Sequence, residues 1–230
     1  SPAGLNEEPP TGPERSPDRR DARHSREALR RAMGARALSS AFGALGDPGF
    51  LLGAQKALES LRSEVGPDHS PRVGQLFALG VLDLSAHLPA GRYVSSVQRA
   101  VQPLIDRQLL SPDSPAPDFV GGALDGFPPR TATTAGDLRA FAAAGLIHRR
   151  AGGEENRFFA EQCERAASRA FRYLLQLQFN AENSYYVTSP ARALGGLRRR
   201  PASNVATLRS AEMALEAMNI SLSDFREKTG

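Results

Sequence analysis

Five carboxylates stand where this chain could do acid–base work. Asp118, Asp125 and Asp137 flank a Gly121-Gly122 loop, and Glu182 and Glu212 flank a second loop at Gly195-Gly196. Cleaving a glycosidic bond takes two carboxyls about 5–9 Å apart, one protonated and one ionised. Asp118, Asp137 and Glu212 are the residues to test for such a pair. A plainer reading competes: Asp137 and Glu212 fall near expected helix starts, where the helix dipole favours an acid.

The second candidate site is basic. Arg198-Arg199-Arg200 precedes Pro201, with Arg192 and Arg209 close by in sequence. Guanidinium groups packed this densely in a loop suit a phosphate, a carboxylate or an acidic protein surface. Tyr185 and Tyr186 lie just upstream and add amphipathic contact area. Nucleic acid would call for several such patches with stacking aromatics, and aromatics make up only 7% of the chain.

Other chemistries find no support. The histidines are His24, His69, His87 and His148, and no two have the i, i+4 spacing of a helical metal pair. Cys163 is the only cysteine, so no disulfide forms within the chain. It shares a helical stripe with Phe159, Ala166, Ala170, Leu174 and Leu177, which reads as a small buried core thiol. The nucleophile elbow, the P-loop and the dinucleotide fingerprint are all missing, and no cofactor or metal is expected.

Composition fits a globular helical protein of 230 residues that is 40% hydrophobic, with no run long enough to cross a bilayer. The net charge of +4 is carried by arginine, since Lys56 and Lys228 are the only lysines. Arginine and alanine in place of lysine and isoleucine mark a GC-rich genome, which points to a bacterial source. The first residue is Ser1, consistent with processing or trimming, and export to the periplasm or cell surface is the expected location, with the cytoplasm as the alternative.

Residues 1–25 hold five prolines and, as large aliphatics go, only Leu5. Such a segment buries too little apolar area to offset its ordering entropy, so it reads as an extended arm that a partner holds through Leu5 and the prolines. An all-α domain is expected over 26–220, with a tail at 221–230. Ser25 is placed to cap a helix over 26–45, and Asp47-Pro48 and Ser70-Pro71 each open another. Further helices are expected at about 92–110, interrupted by Pro103, and at 134–149, 155–180 and 206–218. Residues 121–144 and 195–218 also match each other at an offset of 74: double glycine, irregular loop, threonine, then an Ala-rich helix.

The run AFRYLLQLQF (170–179), followed by the Gly195-Gly196 loop and by VATLRSAEMALEAM (205–218), resembles the α/α-toroid superfamily. That superfamily holds the terpenoid cyclases, the protein prenyltransferase β subunits and several carbohydrate-active enzymes. The resemblance covers roughly residues 70–220 and implies helical hairpins arranged around an axis. Their catalytic signatures are missing. There is no D-x-D-D run and no tryptophan, and Cys163 does not match a zinc spacing. Arg209, Ser210, Ala211 and Glu212 stand where many secreted toroid sequences place Asp and His. The length allows about four hairpins, fewer than a closed toroid uses. The expectation is therefore an incomplete toroid serving as a non-catalytic scaffold subunit. It would dock to other protein subunits through the arm, Tyr185, Tyr186, Arg192 and Arg198–Arg200. The alternative is a toroid-type enzyme acting on a carbohydrate or isoprenoid.

Overall fold

Proline one residue after Asp47 and after Ser70 does start a helix in each case. The computed structural model of the chain describes residues 19–220 apart from positions 68, 89–90, 186, 202, 204 and 207–210. Its helices are α1 (Arg19–Leu45), α2 (Pro48–Leu61), α3 (Pro71–Asp83), α4 (Val94–Asp106), α5 (Thr131–Ala151) and α6 (Glu154–Gln176). A four-residue α7 (Pro190–Ala193) and α8 (residues 211–220) complete the order. No strand forms among the described residues, and the fold is all-α as expected. At α2 the Asp47 carboxylate accepts from the Gly49 N–H at 2.7 Å, satisfying one of the helix's open donors.

Several boundaries differ from those expected. α1 begins at Arg19, so Ser25 lies inside the helix instead of capping it, and residues 19–25 are helical rather than part of an extended arm. Helix α4 passes Pro103 uninterrupted and stops at Asp106, one turn later. Ala206 does not open a helix. It pairs with Arg198 in an isolated antiparallel bridge.

The core is organised by two helices that are greasy or small on almost every side. In α3, Val73 through Val81 are buried without interruption, and α5 is buried over most of Thr131–His148. α2, α4 and α6 are two-faced and cover them. α5 packs along α6, and Ala135, Ala140, Ala143 and Ala144 on the first and Ala160, Ala166 and Ala170 on the second are buried, with Gly145 beside Cys163. Small side chains let the two backbones approach closely, trading side-chain area for backbone contact. Leu58, Leu61, Phe77, Leu79 and Tyr173 fill the wider gaps, each completely or almost completely removed from water.

The loops after α4 and α6 share one hydrogen-bond pattern. In the first, the Leu109 N–H donates to Gly122 O at 2.9 Å, the Gly121 N–H to Leu109 O at 2.8 Å, and the Leu124 N–H to Arg107 O at 3.1 Å. In the second, the Phe179 N–H donates to Gly196 O at 2.8 Å, the Gly195 N–H to Phe179 O at 2.8 Å, and the Arg198 N–H to Leu177 O at 2.9 Å. Gln108 and Gln178 each donate to the carbonyl of the first glycine, 13 and 17 residues ahead, so the second loop is four residues longer. The extra length is taken up around α7.

Both first glycines have positive φ, 90° at Gly121 and 82° at Gly195, but their surroundings differ. A Cβ at Gly121 would lie 2.2 Å from the Arg169 carbonyl oxygen, whereas at Gly195 it would meet nothing within 4 Å. Gly195→Ala should therefore cost only the backbone penalty, about 1–3 kcal/mol. Gly121→Ala should cost clearly more, because α6 must also move aside. Urea unfolding of the two variants checks the order, and equal losses would show that the close approach to α6 is not constraining.

Candidate functional site

Asp137 belongs to the first turns of α5, yet it is buried within the helix layer and does not face water. An ionised carboxylate there must be partnered. Arg107, at the C-cap of α4, supplies a two-pronged contact, Nε to Oδ2 at 3.1 Å and Nη2 to Oδ1 at 2.5 Å. From α3, the Gln75 amide donates to Oδ1 at 2.7 Å. Burial pushes the carboxyl up to about 6, with the Arg107 guanidinium and the Gln75 amide opposing that rise and Asp125 adding to it. At neutral pH the group is ionised and the pair with Arg107 is formed.

Above this pair opens a cavity of about 340 Å³, lined by Ser70, Pro71, Arg72, Gln75, Arg107, Asp125, Ala132, Thr133 and Met213. It lies where α3 and α5 begin, with α8 contributing Met213. Asp125 accepts a hydrogen bond from Thr133 Oγ1 at 2.8 Å, which holds the end of the first glycine loop against the start of α5.

Of the three carboxylates singled out as a catalytic set, only Asp137 adjoins this cavity, and it is occupied by Arg107. Asp118 is exposed on a single 3-10 turn, Pro117–Phe119, and Glu212 is exposed on α8; neither lines the cavity. Glu182 sits in the turn of the second loop. Asp125, which does line the cavity, is the one loop carboxylate at the mouth. Sequence reasoning missed Arg107, Gln75 and Arg72 as parts of the same site. A glutamine buried inside the otherwise apolar α3 was the available signal.

The basic loop divides into two kinds of arginine. Arg198 stacks 4.8 Å over the Phe179 ring, and its Nη2 donates to Asn183 O at 3.1 Å, so this side chain braces its own loop. The Arg198 carbonyl accepts from Thr131 Oγ1 and the Arg199 carbonyl accepts from the Thr131 N–H at 3.1 Å, tying the second loop to the start of α5. Arg192 and Arg199 are exposed, Arg200 is half-buried, and Tyr185 is 78% exposed. Leu5, Tyr186 and Arg209 lie outside the described residues.

A second charge cluster joins four helices. Glu216 of α8 receives Arg36 from α1 on one oxygen and Arg139 from α5 on the other. Arg36 also approaches Asp83, the last residue of α3, at 3.9 Å. Ala214 and Ala217 on the same helix are buried and Met213 and Ile220 pack against the core, so α8 is held by a small apolar face and one acid.

The remaining reactive side chains are quiet. Burial pushes the Cys163 thiol up to about 12, which leaves no thiolate for chemistry. His148 is buried against Phe159, with Nδ1 3.0 Å from Asn156 Oδ1, and burial lowers its pKa. No group of three metal-ligating side chains is found among the described residues. No known family model, curated protein or solved structure matches the chain.

The raised Asp137 pKa fixes the sign of a pH effect. Against an unfolded value of 3.8, a folded value near 6 means the native state holds this proton more tightly. Its stabilisation is complete below pH 3.8 and is lost as pH rises through 6, by up to ~3 kcal/mol. Chemical denaturation of the wild type and Asp137→Asn between pH 4 and 7 should show the wild type losing stability relative to the variant as pH increases. Parallel curves would place the titration of Asp137 elsewhere.

Proposed function

We propose that this chain is a non-catalytic helical scaffold that docks to other protein subunits, built as an incomplete α/α toroid. The observation that carries the reading is the state of two acids at the helix interfaces. Asp137 is closed off by Arg107 and Gln75, and Glu216 by Arg36 and Arg139. A carboxyl gripped by an arginine in this way is poorly placed to exchange a proton with a substrate. The toroid part rests on two supports: the shared loop pattern after α4 and α6, and the way Glu216 brings α8 back to α1. α1, α3, α5 and α8 then form the inner layer.

Docking would use the segment ahead of α1 together with the exposed arginines of the second loop. Arg192 and Arg199 are the residues to assign to a partner, and Arg198 is removed from that role by its stacking on Phe179. Exposed Tyr185, Leu194 and Val205 lie in the same loop and give it apolar contact area. Rim arginines of this kind mainly set association rate and salt dependence.

The test uses extract from the protein's own source cells. The full chain should elute from size exclusion in a complex well above 24.7 kDa. A chain lacking residues 2–18, or one carrying Arg192→Glu and Arg199→Glu, should elute as the free protein with unchanged circular dichroism. A full chain that elutes alone would sink the docking reading. So would turnover of glycoside or prenyl diphosphate substrates that Asp125→Asn abolishes, which would restore the enzyme.

A further inference from the structure

The cavity over Asp137 is lined by charge of both signs. Arg107, a lining residue of the cavity, commits Nε and Nη2 to Asp137, which sets the plane of its guanidinium and leaves Nη1 outside that pair. Arg72 stands on the first turn of α3, exposed, on the same wall. Asp125 uses Oδ2 to accept from Thr133, which leaves Oδ1 for a ligand. Arg107 cancels Asp137, and Arg72 cancels Asp125. With Asp137 beneath it counted, the cavity is neutral overall, and its lining offers a ligand both cationic and anionic groups.

This pattern selects by charge. A simple dianion gains from the two arginines and is opposed by Asp125. A simple cation gains from Asp125 and is opposed by Arg72. A sugar would want an aromatic platform, and the lining offers only Pro71, Ala132 and Met213 as apolar surface. A molecule with a carboxylate and a cationic nitrogen satisfies both sides at once. A volume of about 340 Å³ is at the small end of ligand pockets, which run roughly 300–1,000 Å³.

We propose that this cavity binds a small zwitterion of the amino-acid type, its carboxylate on Arg72 and the open edge of Arg107, its ammonium on Asp125. Ser70 and Thr133 hydroxyls are placed to help orient it, and Met213 meets its apolar part. The site goes beyond the docking reading, since it needs no partner chain.

Titration calorimetry of the full chain with L-leucine, L-glutamine and L-glutamate tests it. At least one should bind, and its N-acetyl and its amide derivatives, each missing one charge, should both bind at least tenfold more weakly. Arg72→Ala and Asp125→Asn should each weaken binding by a similar factor. Both residues are exposed, so the variants should fold normally, which circular dichroism confirms. No binding by any of the three amino acids overturns the proposal. So do derivatives that bind as well as the parent, variants that bind unchanged, or inorganic phosphate that binds more tightly than the amino acids.

Discussion

Asp137 places a negative charge inside a helix whose other buried positions are mostly alanine, glycine and leucine. Leaving that charge alone would cost several kcal/mol, so the fold has to bring partners to it. They come from two different helices, Arg107 at the end of α4 and Gln75 in the middle of α3. Each contact sets a register: α3 against α5 through the amide, α4 against α5 through the guanidinium. Because Arg107 is also the residue from which the first glycine loop departs, fixing its side chain fixes where that loop begins. A well-packed apolar replacement could be equally stable. The ion pair supplies position, and the cavity above depends on it.

The two glycine loops show how the same backbone plan serves unequal roles. In the first, Gln108 is buried and its amide nitrogen donates both to Gly121 O and, at 2.9 Å, to Ala166 O of α6. Arg169 Nε donates back to its Oε1 at 2.8 Å, and the buried Tyr173 hydroxyl donates to Pro129 O at 2.7 Å. The loop is thus riveted to α6 from three side chains. In the second, Gln178 makes only the long 3.4 Å contact to Gly195 O, and the loop leans instead on Arg198, Phe179 and Asn183. A loop held by its own residues can present side chains outward, and Arg192, Arg199 and Tyr185 are all exposed on it.

How much of this could be read beforehand follows from range. Helix identity was legible because apolar spacing and proline placement are local: Asp47-Pro48 and Ser70-Pro71 start helices where their chemistry says they should. The likeness of the two loops was legible in part, because Gly121-Gly122 and Gly195-Gly196 occupy matching turns with positive φ at the first glycine. The start of α1 was not, since arginine-rich residues 19–25 carry no apolar stripe to announce a helix. The site was legible only in pieces. Asp125 and Asp137 stood out as acids near a glycine loop, but the partners of Asp137 come from 30 and 62 residues away. Burial decides what such an acid does, and burial belongs to the assembled helices.

Glu216 extends the same logic to the far end of the chain. α8 has few buried positions among its described residues, so apolar burial alone holds it weakly. An acid shared between Arg36 and Arg139 makes up the difference, and it does so across helices that are distant in sequence. Arg139 is buried, so removing the acid would leave that charge without its partner, while Arg36 would keep only Asp83 at 3.9 Å, a larger penalty than losing one contact. The arrangement therefore makes α8 conditional on α1 and α5 already being in place. Met213, one turn earlier on α8, is thereby carried to the wall of the cavity over Asp137. The two charge clusters are in that sense coupled: Arg107 with Asp137 sets the floor of the cavity, and Glu216 with its arginines holds the helix that brings Met213 to its lining.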